Sequence, residues 1–144
     1  MKRLRVVVAL ALVAALAWAL ASCSGGDRMQ QLKDATGRVD LTAAEAQQLL
    51  AQDDVRGVVI FDVRDQPEFA QGHIVNAYSV EVNSPGFGAA LEGFSKKATY
   101  LVYGDGPDDG RPGSAADQMV AYGIGKVYVI TDGYSHWKGD TATS

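Results

Sequence analysis

The sequence has 144 residues, 13 of them Lys or Arg and 17 Asp or Glu, for a formal charge of −4; that is room for one domain with appendages. Lys2, Arg3 and Arg5 sit ahead of an apolar run, so the rest of the chain is more acidic still and repels nucleic acid and anionic headgroups. One cysteine and two histidines exclude an internal disulfide and give no zinc-ligand spacing.

The chain opens with the basic segment MKRLR, an apolar stretch from Val6 to Leu20, and the small residues ASCSGGD. That order is the pattern of a secretory signal. Leu20-Ala21-Ser22-Cys23 is similar to the bacterial lipobox, which implies a signal peptide over 1–22 and a lipidated Cys23. Cleavage after Ala21, or retention of Leu4 to Ser22 as an uncleaved anchor, are the alternatives. Residues 23–38, mostly polar, read as a lipidated cysteine and flexible tether of about 20 Å mean reach, with a short helix from Met29 to Asp34 as the alternative.

A folded domain is expected over 39–140. Thr42 and Glu45 form a capping box ahead of an amphipathic helix, Ala43 to Gln52. Gly57 to Val63 is a continuous apolar run rich in β-branched residues, the mark of a strand covered on both faces. A short helix with Pro67 in its first position stops at Gly72. Strands follow at Ala77 to Val80 and Ala98 to Tyr103, with a short helix between them around Ala89 to Phe94. The loop GDGPDDGRPGS leads into a helix with Ala115, Ala116, Met119 and Val120 on one face and Gly123 at its end. Lys126 to Ile130 is the last strand, a turn and short helix reach Trp137, and 141–144 reads as a tail. Alternation at this spacing predicts an α/β fold: an open, mostly parallel sheet flanked by helices on both faces.

The order of pieces resembles the single-domain rhodanese family. Phe61-Asp62-Val63-Arg64, Glu68-Phe69, Gly72-His73-Ile74 and Asn76-Ala77 resemble its opening half. Ala115, Ala116, Met119 and Gly123, then Val127-Tyr128, then Asp132-Gly133-Tyr134 and Trp137 resemble its closing half. In active members a cysteine follows the central strand and carries a persulfide, stabilised by loop amides and the next helix N-terminus. The resemblance places Gly104 at that cysteine, or Gly106 under another gap placement, with Arg111 at the family's arginine and Pro112 at its serine. It implies structural roles for Asp62, Arg64, Gly72, His73 and Trp137.

No cysteine follows Cys23, so the loop cannot hold a persulfide, and Gly104, Asp105, Gly106, Asp108, Asp109 and Arg111 make a degenerate site. Its carboxylates compete for the amides that an anion would use and can cap them. Sulfur transfer or phosphate-type chemistry through a non-cysteine residue of the loop, such as a carboxylate nucleophile among Asp105, Asp108 and Asp109, is the enzyme alternative. A Ca²⁺-responsive loop built on the same three aspartates is another. His73 is expected to be buried and hydrogen-bonded, His136 exposed, and most tyrosines part of the core. No cofactor is expected. The whole reads as a bacterial, exported, lipid-anchored, non-catalytic domain at the cell envelope, with the membrane and an unidentified envelope protein as partners.

Overall fold

The computed structural model describes residues 25–144. The signal-like segment and Cys23 lie outside the described residues. Among those described, no helix is long and apolar enough to cross a membrane. The chain divides into two compact units, one ending at Lys33 and the other spanning Asp34–Ser144.

In the first unit, the stretch expected as a coil is helical: α1 runs Gly25–Asp34, with Asp27 in its first turn and Lys33 in its last. Charges placed that way complement the helix dipole and offset a weak apolar face. The second unit begins its sheet earlier than Val39, because β1 spans Gly37–Leu41. Its alternating burial is hard to see in the sequence because the outward residues, Arg38 and Asp40, are charged and pair with each other at 2.8 Å.

Beyond β1 the elements are α2 (Ala43–Leu50), β2 (Val59–Asp62), α3 (Gln66–Gln71), β3 (His73–Ile74), β4 (Tyr78–Ser79), α4 (Phe87–Leu91), β5 (Thr99–Tyr103), α5 (Arg111–Tyr122), β6 (Lys126–Ile130), a 3-10 turn at Tyr134–His136, and β7 (Thr141–Ala142). The main sheet has the order β1-β6-β5-β2-β4, and every neighbouring pair is parallel. This is the α/β, mostly parallel, helix-flanked architecture that the strand patterns predict. The expected tail at 141–144 instead contributes β7, which pairs antiparallel with β3. Two-residue strands carry no periodicity, so neither is visible in sequence.

Local chemistry fixes the element ends. The capping box of α2 is formed, with Thr42 Oγ1 accepting from Glu45 N and Thr42 N donating to Glu45 Oε2. A second box, Asp65 with Glu68, starts α3, which places Pro67 at the second helical position rather than the first. Gly123 ends α5 with φ +103°, a left-handed value that a Cβ resists. Phe61, Val63, Tyr100, Val102, Ala115, Ala116, Met119, Val127 and Val129 belong to one buried cluster between sheet and helices. Tyr100 is fully buried and its hydroxyl donates to Ser95 O at 2.8 Å, so it belongs to the core.

Candidate functional site

β5 lies inside the sheet between β6 and β2. The segment between its last residue, Tyr103, and the first of α5, Arg111, therefore emerges at the carboxyl end of the sheet, where open α/β folds place their ligands. Residues after β6 hold this loop in position. Tyr134 N donates to Gly104 O and Ser135 N to Asp105 O, both at 2.9 Å. The approach is close because Gly133 has no side chain: its φ is +70°, and a Cβ there would stand 2.5 Å from Gly106 N and 2.6 Å from Asp105 O.

Asp109 closes the loop on itself. Its Oδ2 accepts from Asp105 N at 2.8 Å and its Oδ1 from Arg111 N at 2.9 Å. The Arg111 side chain adds Nε at 2.9 Å and Nη2 at 2.9 Å. The other edge of that guanidinium grips Glu68 of α3 in a two-bond fork, 2.6 Å to Oε2 and 3.1 Å to Oε1. Burial alone would raise the Asp109 carboxyl, but Arg111 and the two amides outweigh it and hold the group below the usual carboxylate range. Arg111 holds Glu68 low as well, and Glu68 and Asp109 together push the Arg111 guanidinium up.

Gly104 is buried directly behind this carboxylate. A Cβ built on Gly104 falls on Asp109 Oδ2, and lies 2.8 Å from Asp109 Cγ and from Pro112 Cδ. The volume that a side chain at position 104 would fill is thus occupied by the aspartate, with Pro112 beside it.

On the far side, Asp62 and Arg64 leave β2 as a buried pair. Arg64 N and Nε donate to Asp62 Oδ1 at 3.0 Å, Nη2 donates to Oδ2 at 2.7 Å, and Nη2 also donates to Gly72 O at 2.6 Å. Burial opposes the Arg64 charge, yet Asp62 more than compensates and its affinity for the proton rises. The guanidinium lies 4.4 Å from the ring centroid of Tyr134 and 3.7 Å from Asp105 Oδ1. Arg64, Glu68, Gln71, Gly72, Asp105 and Tyr134 line a cavity of about 390 Å³ beside the loop. Beneath it Tyr103 is fully buried, its phenol accepting from Ile74 N at 3.0 Å and pushed up by burial.

The sequence-derived residues therefore divide into two groups. Asp62, Arg64, Gly72, Asp105, Asp109 and Arg111 converge around Gly104 and the cavity. Away from them, His73 is 7% exposed, stacks on Phe69 at 3.7 Å and pairs its Nδ1 with Phe69 O at 2.9 Å. Trp137 donates from Nε1 to Asp140 O at 3.3 Å, and His136 is exposed. Asp108 is exposed in the loop.

Asp105 Oδ1 faces Arg64 at 3.7 Å, and Asp109 pairs with Arg111. Among the described residues no three acidic, histidine or cysteine side chains converge on a point that could hold a metal ion. Roles for Glu68, Asp65 and Tyr134 are not evident from the loop sequence. The capping pattern of Asp65 and Glu68 marks two of them, and the family resemblance touches Glu68 and Tyr134 without giving them a role.

A model of the rhodanese-like domain matches residues 42–140. The chain belongs to the rhodanese-like family. Two thiosulfate sulfurtransferases named GlpE are similar to the domain. The one from Pseudomonas fluorescens is 32% identical over 84 residues, covering 58% of this chain and 72% of that protein. The one from Coxiella burnetii is 31% identical over 96 residues, covering 62% and 79%. A rhodanese-like domain protein from Staphylococcus aureus superposes with a TM-score of 0.61 at 25% identity, over 73% of this chain and 97% of its own. A protein from Bacillus halodurans superposes at 0.62 with 20% identity, over 82% and 85%, a likeness of fold.

Proposed function

We propose that this rhodanese-like domain transfers no sulfur and serves as a protein-binding or structural module, held by lipid on Cys23 at the outward side of a bacterial membrane. The observation that carries the first part is the meeting of Gly104 with Asp109. The residue after β5 has no side chain, and the place of one is filled by a carboxylate already bonded to the amides of Asp105 and Arg111. A sulfane-sulfur donor such as thiosulfate is an anion. It would meet Asp105 and Glu68 at the cavity wall and find the amides of Asp105 and Arg111 already bonded to Asp109. The anchoring part rests on the basic and apolar segments that precede Leu20-Ala21-Ser22-Cys23. Several acyl chains on one cysteine hold a membrane stably where one does not.

Two measurements test this reading. Sulfur transfer from thiosulfate to cyanide is expected to stay at the buffer blank for the chain carrying Cys23→Ser, which has no thiol. Turnover that disappears on Asp105→Ala or Arg111→Ala would replace the reading with an enzyme of the GlpE type working through a residue other than cysteine. Fractionation of expressing bacteria is expected to leave the chain with the membranes and Cys23→Ser without acyl label; an unlabelled native chain would overturn the anchor.

A further inference from the structure

The Asp109 carboxylate and any side chain at position 104 compete for one volume. A Cβ on Gly104 would stand 2.8 Å from Asp109 Cγ, whereas non-bonded carbons settle at about 3.5 to 4 Å. Asp109 cannot swing aside without losing its bonds to Asp105 N, Arg111 N and the Arg111 side chain, which leaves two amides and one edge of a guanidinium without a partner. We propose that Asp109 is a built-in plug that takes both the space and the hydrogen-bond donors a nucleophile at position 104 would use, so that glycine at 104 and aspartate at 109 form a mutually dependent pair.

This rests on the reading of the domain as non-catalytic and adds to it: the loop is closed by two residues, and replacing one of them does not open it. With Asp109 present, a thiol from Gly104→Cys is crowded by a carboxylate, which disfavours the thiolate. With Asp109 removed, the same thiol inherits the Asp105 and Arg111 amides and the Arg111 guanidinium, all of which favour it.

The experiment uses the full chain with Cys23→Ser, so that any thiol is the introduced one. Gly104→Cys is compared with Gly104→Cys/Asp109→Ala and with Asp109→Ala alone, by thermal unfolding and by alkylation with iodoacetamide at pH 7. Pro112 crowds position 104 in every background, so its contribution cancels between them. Residues in contact are expected to be non-additive: Gly104→Cys lowers the unfolding midpoint by about 5 °C more when Asp109 is present than when it is alanine. The thiol of the double variant is expected to alkylate at least about tenfold faster, the effect of one unit in thiol acidity. Should Gly104→Cys alone fail to fold, folding of the double variant is the rescue the plug requires. Additive midpoints, equal alkylation rates, or failure of both cysteine variants to fold would each overturn the proposal. Sulfur transfer by the unaltered chain would overturn the non-catalytic reading instead and leave this coupling standing.

Discussion

Two Asp-X-Arg units, Asp62-Val63-Arg64 and Asp109-Gly110-Arg111, fold alike on either side of the loop after β5. In each, the arginine N–H donates to Oδ1 of the aspartate two residues back, at 3.0 Å and 2.9 Å, and Nε reaches the same oxygen at 3.0 Å and 2.9 Å. Their surroundings differ. The side chains of Asp62 and Arg64 are 0% and 4% exposed, those of Asp109 and Arg111 11% and 21%. The first pair closes on Gly72 O within the domain, and the second reaches across to Glu68 at the edge of the cavity. One local motif thus works as a clamp between β2 and the start of β3, and again as the seal of the loop after β5. What separates the roles is burial and the third partner.

The sharpest way to break this comparison is to remove each arginine. Arg64→Ala leaves Asp62 buried without its cation and is expected to cost about 3–5 kcal/mol in urea unfolding. Gly133→Ala follows, because a Cβ there meets the backbone of Asp105 and Gly106 at a positive φ; a loss of about 2–3 kcal/mol is expected, the strain and the steric contact adding. Arg111→Ala, at a more exposed and shared ion pair, is expected to cost about 1–2 kcal/mol after allowance for solvent screening. A loss equal to that of Arg64→Ala would show that the two units are not distinguished by burial.

The pH dependence is the smallest effect and carries a definite sign. Glu68 and Asp109 titrate lower in the folded chain than in the unfolded one. Their contribution is therefore complete above the ordinary carboxylate range and fades as pH falls through their depressed folded values. Between about pH 5 and pH 2 the unaltered chain should lose roughly 1 kcal/mol more than Arg111→Ala loses, since that variant has already given up the pairing. Parallel pH profiles would mean that Arg111 does not set those carboxyl groups.

What was legible in the sequence depended on whether one segment carried the information. The strand Lys126–Ile130 and the capping box of Thr42 with Glu45 are local, and the structure has them as read. β3 and β7 are not local: each is two residues long and exists through pairing with the other across the chain. The same holds at the site. That acidic residues would cap the loop follows from composition. That Asp109 does so, at the place of a side chain on Gly104, depends on the path of the loop and on Gly133 behind it. The helical character of Gly25–Asp34 was hidden by its weak apolar face, with charges at its ends in place of a stripe.

The central claim is that no residue of this loop carries sulfur, and it is tested most directly by mass. The chain with Cys23→Ser is incubated with thiosulfate, freed of excess reagent and weighed intact by mass spectrometry. The expected spectrum is unchanged. A gain of one sulfur atom, mapped by peptide fragmentation to the segment between Gly104 and Arg111, would contradict the account.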